Sequence, residues 1–294
     1  MVDKATGSTV PRRQLGRHLR DLRTQAGLTV RGAAKDLAWS ETKLWRIETG
    51  RTSTRSPDVE QLCQMYGAPA ELTTSLMALA KETKARGWWL SYEDVINVGF
   101  DIYLGLEEAA NRLRWYETEL VPGLLQTADY ARALIRSGHP ELDEDEITRR
   151  VELRVARQSL LTRAVNPSTL HVVLNEAALR WPVGSAGVMA EQLTRLLAVG
   201  NLPNVSIRVV RFAAGVHAGI MSGPFVLMEF PAGGNGQPSE PPTVYRDSFT
   251  GALFLDKPHE VAKYDRAFKN IWRTASDEAA SRAFIGEVAR EFRR

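Results

Sequence analysis

SETKLWRIETGR, residues 40–51, has the pattern of a short amphipathic helix with a polar outer face. Ser40 is a good capping residue, because its hydroxyl can accept a hydrogen bond from a backbone N–H group of the first turn. Leu44 and Ile47 are three residues apart, so they share one face of the helix and predict that this face is buried. The polar residues between them lie on the other faces, and Gly50 predicts the end of the helix.

Four further helices are predicted around this one by apolar residues at helical spacing. The first ends at Gly27, and Thr29 can cap the second. The other two follow residues 40–51: one starts after Pro57, and the last covers about residues 71–86. Five short helices, with only three residues between the second and the third, favour a helix-turn-helix packing.

The surplus of positive charge lies at the amino end of the chain. Residues 1–55 hold 12 Lys and Arg against 5 Asp and Glu, a net charge of +7, although the whole chain carries only +3. Cations placed on short helices can neutralise DNA phosphates and release their counterions. We therefore predict a mainly α DNA-binding domain of five helices over residues 12–86, preceded by a disordered arm of residues 1–11.

A helix-turn-helix arrangement gives the polar residues around the third helix predicted roles. Because the amino end of this helix enters the major groove, three side chains are expected at base edges. These are Glu41, Thr42 and Arg46. Phosphate contacts, which fix the register without reading sequence, are expected from Arg31, Lys43, Arg51 and Arg55. Trp45 either touches a thymine methyl or a sugar, or packs against the second helix or a neighbouring subunit.

The segments LGRHLRDLRTQAGLT, AAKDLAWS and SETKLWRIETGR together resemble the cro/repressor-like, or Xre-type, DNA-binding domain. The resemblance covers about residues 12–80, and the RIETGR ending is similar to that of the actinomycete members. It implies that Arg23 in the first helix pairs with Glu48 at the end of the third, which locks the recognition helix to the scaffold. Val30 stands where the family usually has Gln, so the phosphate contact expected there must come from the backbone or from Arg31.

The rest of the chain has a different pattern. Residues 87–104 form an aromatic-rich connector that is predicted to be packed, and the apolar spacing from Leu106 to about Leu120 predicts a helix. β-branched and aromatic runs predict strands over residues 170–174, 205–212, 224–230, 243–247 and 252–255. Helices are predicted over about residues 188–199, 258–275 and 277–292. Residues 105–294 should therefore form an α+β domain with a small, largely antiparallel sheet flanked by helices.

The sequence does not carry a recognisable catalytic or metal-binding motif. Ser222, in GIMSG, lacks the glycine spacing of a nucleophile elbow, and GGNG, residues 233–236, lacks the lysine of a phosphate-binding loop. The single cysteine, Cys63, lies in a helical apolar pattern and is expected in the core. The five histidines are not spaced along the sequence like the ligands of a metal site; they are His18, His139, His171, His217 and His259. We expect no metal, no other cofactor and no enzymatic activity.

Glu176 and His217 are the best remaining acid–base candidates. A carboxylate at the end of a strand and a histidine in a loop are usually structural, which is the interpretation we prefer. A polar pocket that joined Glu176, Arg180 and His217 would instead favour an enzyme with an attached DNA-targeting domain.

The segments YETELVPGLLQTADYARALI, LNEAALRWPVG, HAGIMSGPFVLMEF and VYRDSFTGALFLDKPHEVAKY resemble, in this order, a domain that follows the Xre-type helices in a group of actinomycete regulators. That domain has no known function, or is described as antitoxin-like. The resemblance covers about residues 104–288 and implies a transcriptional regulator that is often encoded beside a small partner protein. It does not supply catalytic residues.

The function expected from the sequence is a sequence-specific transcriptional regulator that binds double-stranded DNA as a homodimer. Its C-terminal domain would mediate dimerisation and bind a small protein encoded nearby or a ligand. The alternative is an antitoxin-like protein that mainly sequesters a small partner and binds DNA for autoregulation. A cytoplasmic location without membrane association is expected, because no apolar run approaches the roughly 20 residues that span a bilayer and no secretory signal is visible.

Overall fold

The computed structural model describes residues 9–83, 88–97, 99–232, 238–249 and 251–294. The chain divides into two compact units. Unit 1 consists of Met1–Ala109 together with Ala232–Glu240, and unit 2 consists of Ala110–Pro231 together with Pro241–Arg294. In the described residues, no helix is long and apolar enough to cross a membrane.

All the named secondary-structure elements in the described residues of unit 1 are helices, which confirms the mainly α prediction. Its helices are α1 (Thr9–Gln25), α2 (Val30–Asp36), α3 (Glu41–Glu48), α4 (Ser56–Met65), α5 (Ala70–Glu82) and α6 (Phe100–Ala109). The first five correspond to the five predicted helices. The fifth was predicted to end at about residue 86, and residues 84–86 lie outside the described part of the chain.

Helix α1 begins earlier than predicted, because residues 9–11 are helical and do not belong to a disordered arm. Pro11 is compatible with the first turn of a helix, where a backbone N–H group has no intrahelical partner. Residues 1–8, the rest of the predicted arm, lie outside the described residues. The predicted connector, residues 87–104, contains a 3₁₀ helix at Trp88–Tyr92, and its predicted carboxyl boundary falls inside α6.

Helix α1 packs closely on α3, and two glycines allow this approach. A Cβ atom on Gly16 would lie 2.5 Å from the carbonyl oxygen of Ile47. Gly50, just beyond α3, has a φ of +68°, and a Cβ atom there would lie 2.7 Å from Cα of Arg13. Leu44 and Ile47 are buried in the core of unit 1 with Leu15, so the predicted inner face of α3 is confirmed.

Unit 2 is an α+β structure, as predicted, but its sheet is not small or largely antiparallel. In the described residues the sheet has six strands in the order β3-β2-β1-β4-β5-β6. They are β1 (Arg112–Glu117), β2 (Thr169–Asn175), β3 (Val205–Val210), β4 (Phe225–Glu229), β5 (Thr243–Ser248) and β6 (Gly251–Leu255). The pairs β1–β2 and β2–β3 are parallel, whereas β1–β4, β4–β5 and β5–β6 are antiparallel.

Strand β1 lies in the middle of this sheet, where the sequence analysis predicted a helix. Its apolar residues Leu113 and Tyr116 are three apart, a spacing that also fits a helix. The strand is stabilised instead by pairing with β2 and β4, which are distant in sequence. Because β1 was missed, its parallel pairing with β2 was missed as well. The parallel pairing of β2 with β3 was also overlooked, although both strands and the helix between them were predicted, and the sheet was wrongly expected to be largely antiparallel.

The helices of unit 2 connect the strands and cover the sheet. They are α7 (Ala128–Gly138), α8 (Glu144–Ala156), α9 (Ala177–Arg180), α10 (Ala186–Val199), α11 (Ala218–Ser222), α12 (Pro258–Thr274) and α13 (Glu278–Glu291). Parallel strands need a long crossover, and here α7 and α8 connect β1 to β2, while α9 and α10 connect β2 to β3. Helix α12 packs Phe268 and Ile271 in one cluster with Tyr116 and Phe225 of the sheet.

Candidate nucleic-acid interface

Helix α3 presents one buried face and one polar face that is open to solvent. The hydroxyl of Ser40 accepts a hydrogen bond of 3.1 Å from the backbone N–H of Lys43, so Ser40 caps the helix as predicted. The outer face carries the three side chains predicted to contact bases, and all three are exposed: Glu41, Thr42 and Arg46.

The Arg23 and Glu48 side chains, which the sequence resemblance paired, form two hydrogen bonds. Arg23 Nε donates to Glu48 Oε1 at 2.6 Å, and Arg23 Nη2 donates to Glu48 Oε2 at 2.8 Å. A third bond of 2.7 Å runs from Arg23 Nη1 to the carbonyl oxygen of Leu28, in the turn before α2. Because Glu48 is only 4% exposed, this carboxylate fixes the carboxyl end of α3 to α1.

The four predicted phosphate contacts border the outer face of α3 to different extents. The Arg31 and Arg55 side chains are 87% and 75% exposed. Lys43 is more constrained: its ammonium nitrogen lies 3.3 Å from the centre of the Trp39 ring and 3.8 Å from Asp58 Oδ1. Contact with the aromatic ring orients the cation while leaving it able to donate to a phosphate.

Arg51 and Trp45 lie next to each other. The guanidinium carbon of Arg51 lies 4.7 Å from the centre of the Trp45 ring, and this indole is 43% exposed. Trp45 therefore holds Arg51 beside α3. Whether the indole also touches DNA or a second subunit stays a prediction.

One predicted base contact and one predicted phosphate contact also lie close together, because Arg31 Nε is 3.7 Å from Glu41 Oε1. Both side chains are well exposed, and exposed ion pairs of this kind contribute about 0–1 kcal/mol. The pair therefore does not prevent either side chain from turning towards a ligand.

Sequence reasoning missed a buried carboxylate that binds two arginines of α1. Glu240, which belongs to unit 1 and is fully buried, accepts two hydrogen bonds from Arg17 at 2.6 and 2.8 Å and one from Arg13 Nε at 3.2 Å. Arg12 similarly lies 3.6 Å from Asp101. Three cations of the basic amino end are thus paired with two carboxylates inside unit 1. Glu240 lies in a Pro-rich segment without periodicity, so its role had no local sequence signal.

The acid–base candidates of unit 2, Glu176 and His217, both form local hydrogen bonds. Burial alone would raise the pKa of Glu176, but hydrogen bonds from the Phe212 N–H and from Arg180 and Arg211 lower it. A carboxylate held in this way is a poor proton acceptor.

The His217 ring caps α11 by accepting a hydrogen bond of 3.1 Å from the Gly219 N–H. Burial lowers the pKa of this histidine. The Ser222 hydroxyl donates to the carbonyl oxygen of Gly223. Within the described residues, no group of three His, Cys, Asp or Glu could hold a metal ion. The GGNG segment, residues 233–236, lies outside the described residues.

Comparison with known families agrees with this division of the chain. Residues 14–76 match a family model described as a helix-turn-helix domain, a kind of domain that is typical of DNA-binding regulators. Residues 100–287 match the model described as a domain of unknown function, DUF5753, and cover more than half of the chain. The chain therefore belongs to the DUF5753 family and carries an amino-terminal helix-turn-helix domain. No curated protein and no solved structure matches it.

Proposed function

We propose that this protein is a sequence-specific transcriptional regulator of the Xre type that reads double-stranded DNA with α3. The observation that carries the proposal is the outer face of this helix, where Glu41, Thr42 and Arg46 are exposed above the buried Leu44 and Ile47. A recognition helix must combine these two properties, because its base-reading side chains need access to the groove while its axis stays fixed. The similarity of the RIETGR segment to actinomycete regulators supports the Xre assignment.

The proposed mechanism separates the reading of sequence from the positioning of the protein. Arg46 donates two hydrogen bonds to a guanine, while Glu41 and Thr42 contact neighbouring base edges. Phosphates are bound by Arg31, Lys43, Arg51 and Arg55. Lys43 and Arg51 are suited to this role because Trp39 and Trp45 orient their side chains.

The regulator is proposed to act as a homodimer in the cytoplasm, where it has access to the chromosome. One recognition helix reads only a few base pairs, whereas two helices about 34 Å apart read both halves of a palindrome. Unit 2 would mediate this dimerisation and bind a small partner protein or a ligand that changes the affinity for DNA. The proposal gives unit 2 no catalytic activity.

Selection of binding sites from random DNA, followed by affinity measurements over a range of salt concentrations, tests the DNA-reading proposal. Arg46→Ala should cost about 1–3 kcal/mol on the selected site and relax the preference at one position. Lys43→Ala should weaken binding to all sequences alike and reduce the salt slope by about 0.9. Lys81→Ala is the matched control, since it removes one positive charge from the end of α5 and should change neither quantity.

The proposal fails if Arg46→Ala and Lys43→Ala bind every sequence as the wild type does. It also fails if no sequence is enriched over random DNA.

A second function, antitoxin-like sequestration of a small protein, is favoured by exposed apolar side chains around α11. Val216 and Met221 are 87% and 86% exposed, and Ile220 is 58% exposed. Side chains of this kind, when close together, often mark a protein-binding surface. The test is to purify the protein with the product of the adjacent gene: a stoichiometric complex that has lost DNA binding, and is disrupted by Met221→Lys, would support sequestration as the main role.

A further inference from the structure

A cleft of about 580 Å³ opens on unit 2, beside the carboxyl half of α12. This volume lies within the range of small-molecule sites, about 300–1,000 Å³. The residues that line it combine cations with aromatic rings, and the ones that matter here are Arg112, Arg114, His171, Lys269, Trp272 and Arg273. None of them belongs to the candidate nucleic-acid interface.

The sheet places the basic side chains of this cleft on one face. Arg112 and Arg114 are two residues apart on β1, so they point to the same side of the sheet. His171 stands opposite Arg114 in the parallel register of β1 and β2. Helix α12 covers this face and contributes Lys269 and Arg273 from successive turns. The cluster is therefore a product of the parallel strand pair that the sequence analysis missed.

The cations of the cleft exceed the carboxylates that neutralise them. Arg114 donates to Asp265 Oδ1 at 2.6 Å and to Glu229 Oε1 at 3.2 Å, while Lys269 donates to Asp265 Oδ2 at 2.7 Å. Arg112 reaches Glu229 only at 3.5 Å.

Among the described residues Arg273 has no carboxylate partner, and its Nε donates to the carbonyl oxygen of Lys269. The four lining cations thus meet two carboxylates, which leaves a local charge of +2. Arg208, which stacks on Trp272, and Glu278, which accepts from Ser206, add one charge of each sign.

Two further features of the cleft are the packing of the Trp272 ring and a buried nitrogen of Arg114. The guanidinium carbon of Arg208 lies 4.2 Å from the centre of the Trp272 ring, and the centre of the His171 ring lies 5.2 Å from the same point. These two neighbours fix the orientation of the indole. Nε of Arg114 is buried and has no hydrogen-bond partner among the described residues. A buried donor without a partner costs about 1–3 kcal/mol.

The pKa of His171 is sensitive to the charges that line the cleft. Burial lowers its pKa, and the charges of Arg112 and Arg114 lower it further. The carboxylates Glu278 and Glu229 oppose this effect without cancelling it. An anion bound among the arginines would add to the carboxylates, so it would raise the pKa of His171.

We infer that this cleft binds a small organic anion with a planar apolar body, whose carboxylate or phosphate group is held by Arg112, Arg114 and Arg273. Guanidinium groups bind both head groups through paired hydrogen bonds. The apolar body packs against Trp272 and Phe268, the aromatic residues of the lining. The inference concerns unit 2 alone and does not depend on how α3 reads DNA.

Calorimetric titration of the full-length protein with four probes tests this inference. 2-Naphthoate and 2-naphthyl phosphate carry the two possible head groups, 2-naphthamide is their neutral control, and inorganic pyrophosphate is an anion without a ring. We expect at least one naphthyl anion to bind at least tenfold more tightly than both the amide and pyrophosphate. Which naphthyl anion binds more tightly identifies the preferred head group.

Two variants of equal charge connect this binding to the cleft. Arg273→Gln should weaken binding of the naphthyl anion about tenfold, because one charged hydrogen bond is lost. Arg290→Gln removes the same charge from an exposed position on α13, which does not line the cleft, and should leave binding unchanged. In NMR titrations, the pKa of His171 should rise when the anion is bound, with the signal assigned through His171→Gln.

Several results would overturn the inference. These are the absence of saturable binding by both naphthyl anions, equal binding of the neutral amide, or equal losses in the two arginine variants. Tight binding of pyrophosphate alone, with competition by random double-stranded DNA, would show that these arginines contact nucleic-acid phosphates and not an organic anion.

Discussion

Removal of one member of the Arg23–Glu48 pair should loosen α3 more than removal of both. Arg23→Met leaves the Glu48 carboxylate, which is 4% exposed, buried beside an apolar chain. It also deprives the carbonyl oxygen of Leu28 of its 2.7 Å hydrogen bond. Breaking a buried ion pair from one side costs about 3–5 kcal/mol, because the remaining charge loses both solvent and partner.

The double variant Arg23→Met/Glu48→Leu has neither charge. Replacement of a buried pair by apolar residues of similar size is often neutral, and only the Leu28 carbonyl oxygen loses a partner, at about 1 kcal/mol. We therefore expect the double variant to be about 1 kcal/mol less stable than the wild type. The coupling free energy between the two substitutions should be at least about 2 kcal/mol.

Hydrogen exchange followed by mass spectrometry is the suitable assay, since it resolves α3 from the rest of a two-unit chain. Amides of α3 should exchange much faster in Arg23→Met, whereas those of β1 and β2 in unit 2 should be unaffected. Arg20→Met is the matched control, because Arg20 lies on the same helix and is exposed. The reasoning is refuted if Arg23→Met and Arg20→Met give the same exchange, or if the double variant exchanges faster than Arg23→Met.

Substitutions at three further positions test the packing, capping and burial of single side chains. Gly16→Ala places a methyl group 2.5 Å from the carbonyl oxygen of Ile47, so unfolding by urea should show a loss of about 1–3 kcal/mol; an unchanged midpoint would contradict the close packing of α1 on α3. Ser40→Ala should cost about 1 kcal/mol, and Ser40→Asp, which keeps an acceptor for the Lys43 N–H, should recover most of it. Burial raises the pKa of Glu117 from 4.5 to about 7, so the folded state binds this proton more tightly than the unfolded state, and ionisation reduces stability progressively between these values. Glu117→Gln should therefore raise the Tm more at pH 8 than at pH 4.5. The corresponding difference in the free energy of unfolding should be at most about 3 kcal/mol, and an equal change in Tm at both pH values would contradict the raised pKa of Glu117.

Helix α3 was predictable because its determinants lie within a dozen residues. The Ser40 hydroxyl caps the first turn, Leu44 and Ile47 are three residues apart on the inner face, and Gly50 with its φ of +68° follows the end, so these signals can all be read within residues 40–50. Such signals do not depend on the rest of the fold. The exposed polar face of α3 followed from the same periodicity.

Strand β1 could not be predicted in this way, because its conformation depends on distant partners. Arg112 pairs with Thr169 on one side and with Glu229 on the other. Nothing in RLRWYE itself excludes a helix, since Leu113 and Tyr116 also share a helical face. The largest error about the fold and the failure to find the anion cleft therefore have one cause: both Arg112 and Arg114 lie on the missed strand.

The basic surplus at the amino end shows the same distinction between local and distant determinants. Counting charges treats every cation as available, yet Arg13, Arg17 and Arg23 are held by the buried carboxylates Glu240 and Glu48. The cations left exposed include Arg46 and Arg31 around α3, together with Arg20 on α1. A charge count therefore indicates the class of partner, but burial decides which cations can meet a phosphate, and here burial removes Arg13 and Arg23 from the surface that DNA could reach.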